Sequence, residues 1–252
     1  MQRPLPSLPV SSLPSACTAC GASGWCAPCG LTPPGHAGPA DGAGLPVVRR
    51  RLAIDQVLCT QGEPFTNLYA VRSGTLKSAV MLVGGREQIC SFHTAGDVIA
   101  LDAVGGGVHE TTTTALEDAQ LCIIAYAPLL ALSANDPELQ RRLRRLMSLE
   151  ITRGQRLLLL LGMATARERL ASFLADMSQR FEAQGYSPRE FSLRMTRADI
   201  GSYLGLTVET VSRTFAQFRA QGLLQVHNRR VSIRDARDFT RLGEPPAAAL
   251  RA

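Results

Sequence analysis

Short apolar runs separated by glycines fill the first half of the chain. Residues 67–71, 75–83, 88–92, 97–101 and 119–125 are such runs, with Gly62, Gly74, Gly84, Gly85, Gly96 and Gly105 to Gly107 between them. Closely spaced short strands with glycine turns predict a β-roll or barrel over 47–135. The pattern then changes. Asn135, Asp136 and Pro137 read as a helix start, a capping side chain followed by proline in the first turn. The predicted helix covers 136–163. Along it Arg144, Met147, Ile151, Gly154, Leu158 and Leu161 alternate by three and four residues, the spacing of a coiled-coil seam. Leu139, Leu143, Leu146 and Leu157 fall on a neighbouring face. One stripe suits the β-roll and the other a second copy of the chain, so a homodimer is expected.

Residues 164–242 form a separate helical unit. Over 166–184, Leu170, Phe173, Leu174, Met177 and Phe181 recur at helical spacing. Over 196–221, small Ala198 and Gly201 permit close helix approach, Gly205 fits a turn, and Ile200, Leu204, Leu206, Val211 and Phe215 supply a shared core. Thr207 is placed to cap a second helix that exposes Glu209, Ser212 and Arg213 in its first turns. A recognition helix sets its N-terminal side chains against base edges in the major groove. Arginine donates a bidentate pair to guanine, glutamate accepts from cytosine, and serine meets either edge. Residues 223–226 and 231–233 flank a turn at 227–230 and predict a β-wing. Between Arg189 and Arg241 there are ten arginines against five acids, so this unit carries an excess of five positive charges out of a net +6 for the chain. Double-stranded DNA is the expected partner.

Outside these units, 1–46 lacks any core-forming pattern and 243–252 is a low-complexity tail. The first segment nevertheless holds Cys17, Cys20, Cys26 and Cys29 within thirteen residues. Thiolates so grouped among glycines suit a soft metal or an iron–sulfur cluster. Prolines at 4, 6, 9 and 14 interrupt the start of the chain, and no apolar run approaches the roughly 20 residues that span a bilayer. A cytoplasmic protein without membrane contact is expected, and there cysteines point to metal or redox chemistry more than to disulfides. Only one of the 27 basic residues is lysine, Lys77, a bias covering the whole chain that carries no functional signal. No nucleophile–base constellation or nucleotide loop appears and the four histidines are scattered, so enzymatic activity is not expected.

The stretches at 68–78, 92–97, 167–170, 181–191 and 195–213 closely resemble the Crp/FNR family of bacterial transcription factors, and within it the oxygen-sensing FNR branch. The resemblance runs from about Asp55 to Asp235. It implies an α+β fold: an N-terminal β-roll (a jelly roll like those that bind cyclic nucleotides), a long dimerisation helix and a C-terminal winged helix-turn-helix. Glu209, Ser212 and Arg213 match that branch's recognition helix, implying TTGAT-type half-sites in an inverted repeat. Cys17, Cys20 and Cys26 match its N-terminal cluster ligands and Cys122 its last one, implying a [4Fe–4S] cluster. The implied mechanism is anaerobic dimerisation and DNA binding, lost when oxygen degrades the cluster. Activation or repression would follow through RNA polymerase, with Gly84, Gly85, Arg86 and Glu87 as the candidate contact.

Three departures stand out. Cys29 is extra: Cys20, Cys26 and Cys29 form an alternative trio, and four thiolates also suit zinc, leaving open a zinc- or thiol-based redox regulator of the same fold. Gly154 occupies a seam position that is typically aspartate in the oxygen sensors. Glycine removes a like-charge pair at the two-fold axis, so a dimer less dependent on the cluster is expected. A cyclic phosphate needs an Arg–Ser pair, and the corresponding 107–114 offers His109, Glu110 and threonines without arginine, so no cyclic nucleotide is expected. Cys59 and Cys90, each within a β-run, read as structural.

Overall fold

The computed structural model describes residues 47–243. Strands β1 (Val47–Leu52), β2 (Val57–Cys59), β3 (Asn67–Ser73), β4 (Leu76–Met81), β5 (Glu87–His93), β6 (Val98–Ile99), β7 (Thr112–Ala115) and β8 (Ala119–Ala125) form two antiparallel sheets. Their orders are β1-β8-β3-β6 and β2-β7-β4-β5. Leu52, Val71, Leu76, Ile99, Ala115 and Leu121 belong to the core of this roll. Gly74 joins β3 to β4 at φ +93°, where a Cβ would lie 2.7 Å from that of Ala119. Only glycine fits so close to β8.

Two helices leave the roll. The first, α1 (Tyr126–Ala134), is followed by α2 (Pro137–Met163), which Asp136 caps by accepting from the amides of Glu138 and Leu139. With 27 residues, α2 is about 40 Å long. Leu139 and Leu143 are its buried residues, and with Leu129 of α1 they join the roll's core.

At Ala164 the chain turns into α3 (Ala166–Ala183), opened by a reciprocal capping box between Thr165 and Glu168. Then come β9 (Glu190–Ser192), α4 (Arg197–Leu204), α5 (Val208–Ala220), β10 (Leu224–His227), β11 (Arg230–Ile233) and α6 (Ala236–Gly243). Strands β10, β11 and β9 make a small antiparallel sheet. Gly243, placed in the tail by the sequence pattern, ends α6 instead. It lies so close to Ser172 of α3 that a Cβ would come within 2.7 Å of its backbone.

The two units share a core. Ala79, Ile89 and Phe92 of the roll pack with Leu170, Phe173, Leu174 and the α4–α5 interior. Strand β5 is a sheet edge, and α4 covers it. Ser202 Oγ accepts from Ile89 N at 2.9 Å and donates to Glu87 O at 3.1 Å, supplying partners that an edge strand otherwise lacks. Lys77 Nζ lies 2.9 Å from Glu87 and 3.1 Å from Asp199. Burial would lower the Lys77 pKa, but hydrogen bonds to Glu87 and Asp199 hold it above its ordinary value.

A second polar node joins α2 and α3 to the turn before β6. Asp97, 8% exposed, receives Arg153 of α2 at 2.9 Å and Arg180 of α3 at 3.0 Å. Burial pushes this carboxyl up, and the two guanidiniums outweigh it and leave it below its ordinary value. His93 beneath it is driven down to about 4 by burial, so it stays neutral and hydrogen-bonds Ser78 at 2.8 Å.

Candidate nucleic-acid interface

The DNA-reading unit is built from local rules. Thr196 and Asp199 form a reciprocal capping box that starts α4. Gly205 ends it at φ +62°, and a Cβ on Gly201 would sit 2.6 Å from Leu206 O. Both glycines are therefore required for so tight a turn between α4 and α5. Thr207 caps α5, its hydroxyl accepting from Thr210 N at 3.2 Å. Val211, Thr214, Phe215 and Phe218 are buried beneath the helix. Arg197 stacks its guanidinium 3.4 Å from the Phe215 ring centre and ties the two helices together.

With that face anchored, the opposite face projects Thr207, Glu209, Ser212 and Arg213, all exposed. Glu209 is held below the usual carboxylate range by its own amide and by Thr207, so it is an ionised acceptor at neutral pH. Arg213 Nη2 reaches Thr210 Oγ1 at 3.5 Å. Gln217, one turn beyond Arg213, is also exposed and extends the stripe. The residues expected from the sequence omit it, although the four-residue steps from Glu209 to Arg213 to Gln217 are the signal that finds it. Exposed Arg229 and Arg230 at the β10–β11 turn put cations on the wing. An acceptor, a hydroxyl and a guanidinium on one solvent-facing turn, flanked by a basic wing, suit groove reading plus phosphate contact.

Comparison with known proteins agrees with this geometry. Residues 168–242 match the Crp-like helix-turn-helix domain, and residues 49–136 match the cyclic nucleotide-binding domain. The fumarate and nitrate reduction regulatory protein of Escherichia coli (strain K12) is 45% identical over 189 residues, 74% of this chain and 76% of that protein. The chain belongs to the Crp/FNR family of transcription regulators. The anaerobic regulatory protein of Aggregatibacter actinomycetemcomitans is 44% identical over 198 residues, 78% of this chain and 77% of its own length. The solved structure of FixK2 from Bradyrhizobium japonicum superposes with a TM-score of 0.74 at 32% identity, covering 80% of this chain and 99% of that one.

The remaining candidate residues of this Crp/FNR regulator are dispersed. Cys17, Cys20, Cys26 and Cys29 lie outside the described residues. Cys122 is 1% exposed on β8, with Arg49 of β1 and Ala70 of β3 as its cross-strand partners. Cys122 is packed with the roll's core beside Ala70, Leu68 and Ile124, while Arg49, Arg51 and Gln120 at the β1–β8 end of the ladder are exposed. Among the described residues no group of three His, Cys, Asp or Glu is placed to hold a metal. No described helix is long and apolar enough to cross a membrane.

On α2, Ile151 and Leu158 are 63% and 71% exposed, Arg144 and Gly154 are exposed, and Met147 and Leu161 are half-buried. A Cβ on Gly154 would meet nothing within 4 Å. Gly84, Gly85 and Arg86 form the exposed tip of the β4–β5 hairpin beside Val83, whereas the Glu87 carboxylate turns back to Lys77. In 107–114, His109 is buried against Phe65, Thr112 accepts from Gln61, and Thr113 bonds Ser78. Cys59 is buried in β2, and Cys90 lies within β5 but is exposed on that edge strand. Cys90 falls where the β4–β5 register shifts, and neither that irregularity nor the edge position is visible in the run itself.

Proposed function

We propose that this regulator is an oxygen-responsive switch of transcription in the cytoplasm, binding TTGAT-type inverted repeats as a dimer when anaerobic. The observation that carries the reading is the position of Cys122. It lies on β8 directly across from Arg49 of β1, and β1 is the strand that follows the N-terminal cysteine segment in the chain. Twenty residues separate Cys26 from Val47, a chain that reaches up to roughly 65 Å. Cys17, Cys20 and Cys26 can therefore join Cys122, and four thiolates are the donor set of a [4Fe–4S] cluster. The bound cluster supplies the oxygen-labile chemistry. The names of the relatives, a fumarate and nitrate reduction regulator and an anaerobic regulator, support the same assignment.

The chain's own residues do the rest. Ile151, Leu158 and their seam neighbours pair α2 with its copy, and two α5 helices then present Glu209, Ser212 and Arg213 to two half-sites. A monomer makes half those contacts, so dimerisation controls affinity. Gly84, Gly85 and Arg86 at the hairpin tip meet RNA polymerase, with Glu87 holding the hairpin base. Cyclic nucleotides are not the expected signal, because 107–114 holds no arginine to pair with a cyclic phosphate.

Anaerobic purification followed by iron, sulfide and zinc analysis tests the assignment. Iron and sulfide in a coloured protein that loses DNA affinity in air are expected. A colourless zinc protein whose DNA binding ignores air removes it. Open space at Gly154 permits close approach of two α2 helices, so the cluster-free protein is expected to retain some dimer at micromolar concentration. Sedimentation showing only monomer, unaltered by Gly154→Asp, would overturn that expectation.

A further inference from the structure

Two helix C-termini converge on a single side chain at the joint between α2 and the DNA-reading unit. Arg169, at the start of α3, donates from Nε to Ala164 O at 2.9 Å and from Nη2 to Leu161 O at 2.8 Å. Its Nη1 donates to Leu204 O at 3.1 Å. The first two carbonyls terminate α2 and the third terminates α4. In a continuing helix the amides of Thr165 and Glu168 would fill Leu161 O and Ala164 O. Here Thr165 N donates to the Glu168 carboxylate and Glu168 N to Thr165 Oγ1. The α2 carbonyls are thus left to the guanidinium. Terminal carbonyls also carry the negative ends of helix dipoles, and a planar guanidinium with donors fixed in a fork suits such a set. Gly205 closes the joint: a Cβ there would lie 3.4 Å from both Arg169 Nη1 and Leu161 Cδ2.

We propose that Arg169 is the positioning residue that fixes the recognition helix relative to the dimerisation helix, and so sets the half-site spacing the dimer reads. Helix α5 starts four residues after Leu204, so whatever holds the end of α4 on the end of α2 aims α5. With α2 at a two-fold axis, any swing at the joint occurs twice and in mirrored directions along the DNA. The three hydrogen bonds of Arg169 go to the ends of α2 and α4 and not to Glu209, Ser212 or Arg213. Its action on DNA reading therefore runs through α2 and the α4–α5 turn. The proposal rests on the reading of α2 as the dimer helix.

The test uses anaerobically purified full-length protein and duplexes carrying one half-site, an inverted repeat at its best-bound spacing, or that repeat with one base pair inserted. The insertion turns one half-site by about 35° and shifts it about 3.4 Å. Wild type is expected to lose about tenfold in affinity on insertion. Arg169→Ala is expected to lose about threefold or less, with half-site affinity and the dimer seen by sedimentation unchanged. Arg169→Lys, which keeps a charge but lacks the fork, is expected to behave similarly and carries the test if the alanine variant does not fold. Wild-type discrimination in a folded variant overturns the proposal alone. A wild-type protein that remains monomeric on the repeat removes the dimer reading and this proposal with it.

Discussion

Helices α2 and α5 are both amphipathic, yet only α5 is complete within one chain. Val211, Thr214, Phe215 and Phe218 bury one side of α5, and its other side is polar. By contrast α2 has two buried residues among 27, and Ile151 and Leu158 stand in solvent. A polar stripe over a filled core is a finished element awaiting a polar ligand. An apolar stripe over nothing is unfinished until another surface covers it. The same chain thus carries one helix completed by its own fold and one whose stability is deferred to association.

The sharpest way to break this contrast is to empty the core under α5. Phe218→Ala is expected to destabilise the protomer by about 3–5 kcal/mol in denaturant unfolding, and an unchanged midpoint would contradict the packing. Acid attacks the platform on which both helices rest. His93 has a folded pKa of about 4 against an ordinary 6.5, so protons bind the unfolded chain first. Stability is present above pH 6.5 and is lost as pH falls toward 4, by on the order of 3 kcal/mol over that window. Melting temperatures of His93→Gln should fall less steeply over the same range, and parallel curves would exclude His93 as the source.

Removing one polar tip from α5 should spare folding and affect only its ligand. Arg213→Ala is expected to weaken specific DNA binding by about 1–3 kcal/mol and to relax preference at one base pair, with melting unchanged. Equal losses on all sequences would make it a phosphate contact instead. The smallest protomer effect belongs to the seam of α2. Ile151→Ala should alter the stability of the isolated protomer by less than about 0.5 kcal/mol while weakening dimerisation measurably by sedimentation. A large loss of monomer stability would show that Ile151 is already packed.

How much of this was legible follows the range of the forces involved. The Asp136–Pro137 start of α2, the Thr207 cap and the Gly205 turn depend on residues within four positions of one another, and the pattern alone located them. Helix α1 escaped because Tyr-Ala-Pro-Leu-Leu-Ala-Leu-Ser-Ala has no polar face to set a period, and Pro128 reads as a break. Strand β7 escaped because Thr112, Thr113 and Thr114 show no apolar alternation, although Thr113 is fully buried through its bond to Ser78. For α6, Ala236–Gly243 offers a single buried side chain, Phe239, too few to mark a helix.

The sequence by itself determined the elements with local punctuation, the recognition stripe and the cysteine trio's spacing, because caps, turns and helical periodicity act over a few residues. Only the tertiary structure decided that Ser202 seals the β5 edge, that Asp97 joins Arg153 to Arg180, and that Arg169 gathers three carbonyls from two helices. Those contacts pair residues up to 115 positions apart, as Ser202 and Glu87 are. A charge or hydroxyl carries no mark in the chain of which distant partner will meet it. Burial chooses that partner, since a polar group withdrawn from water must be matched by whatever the fold brings to it.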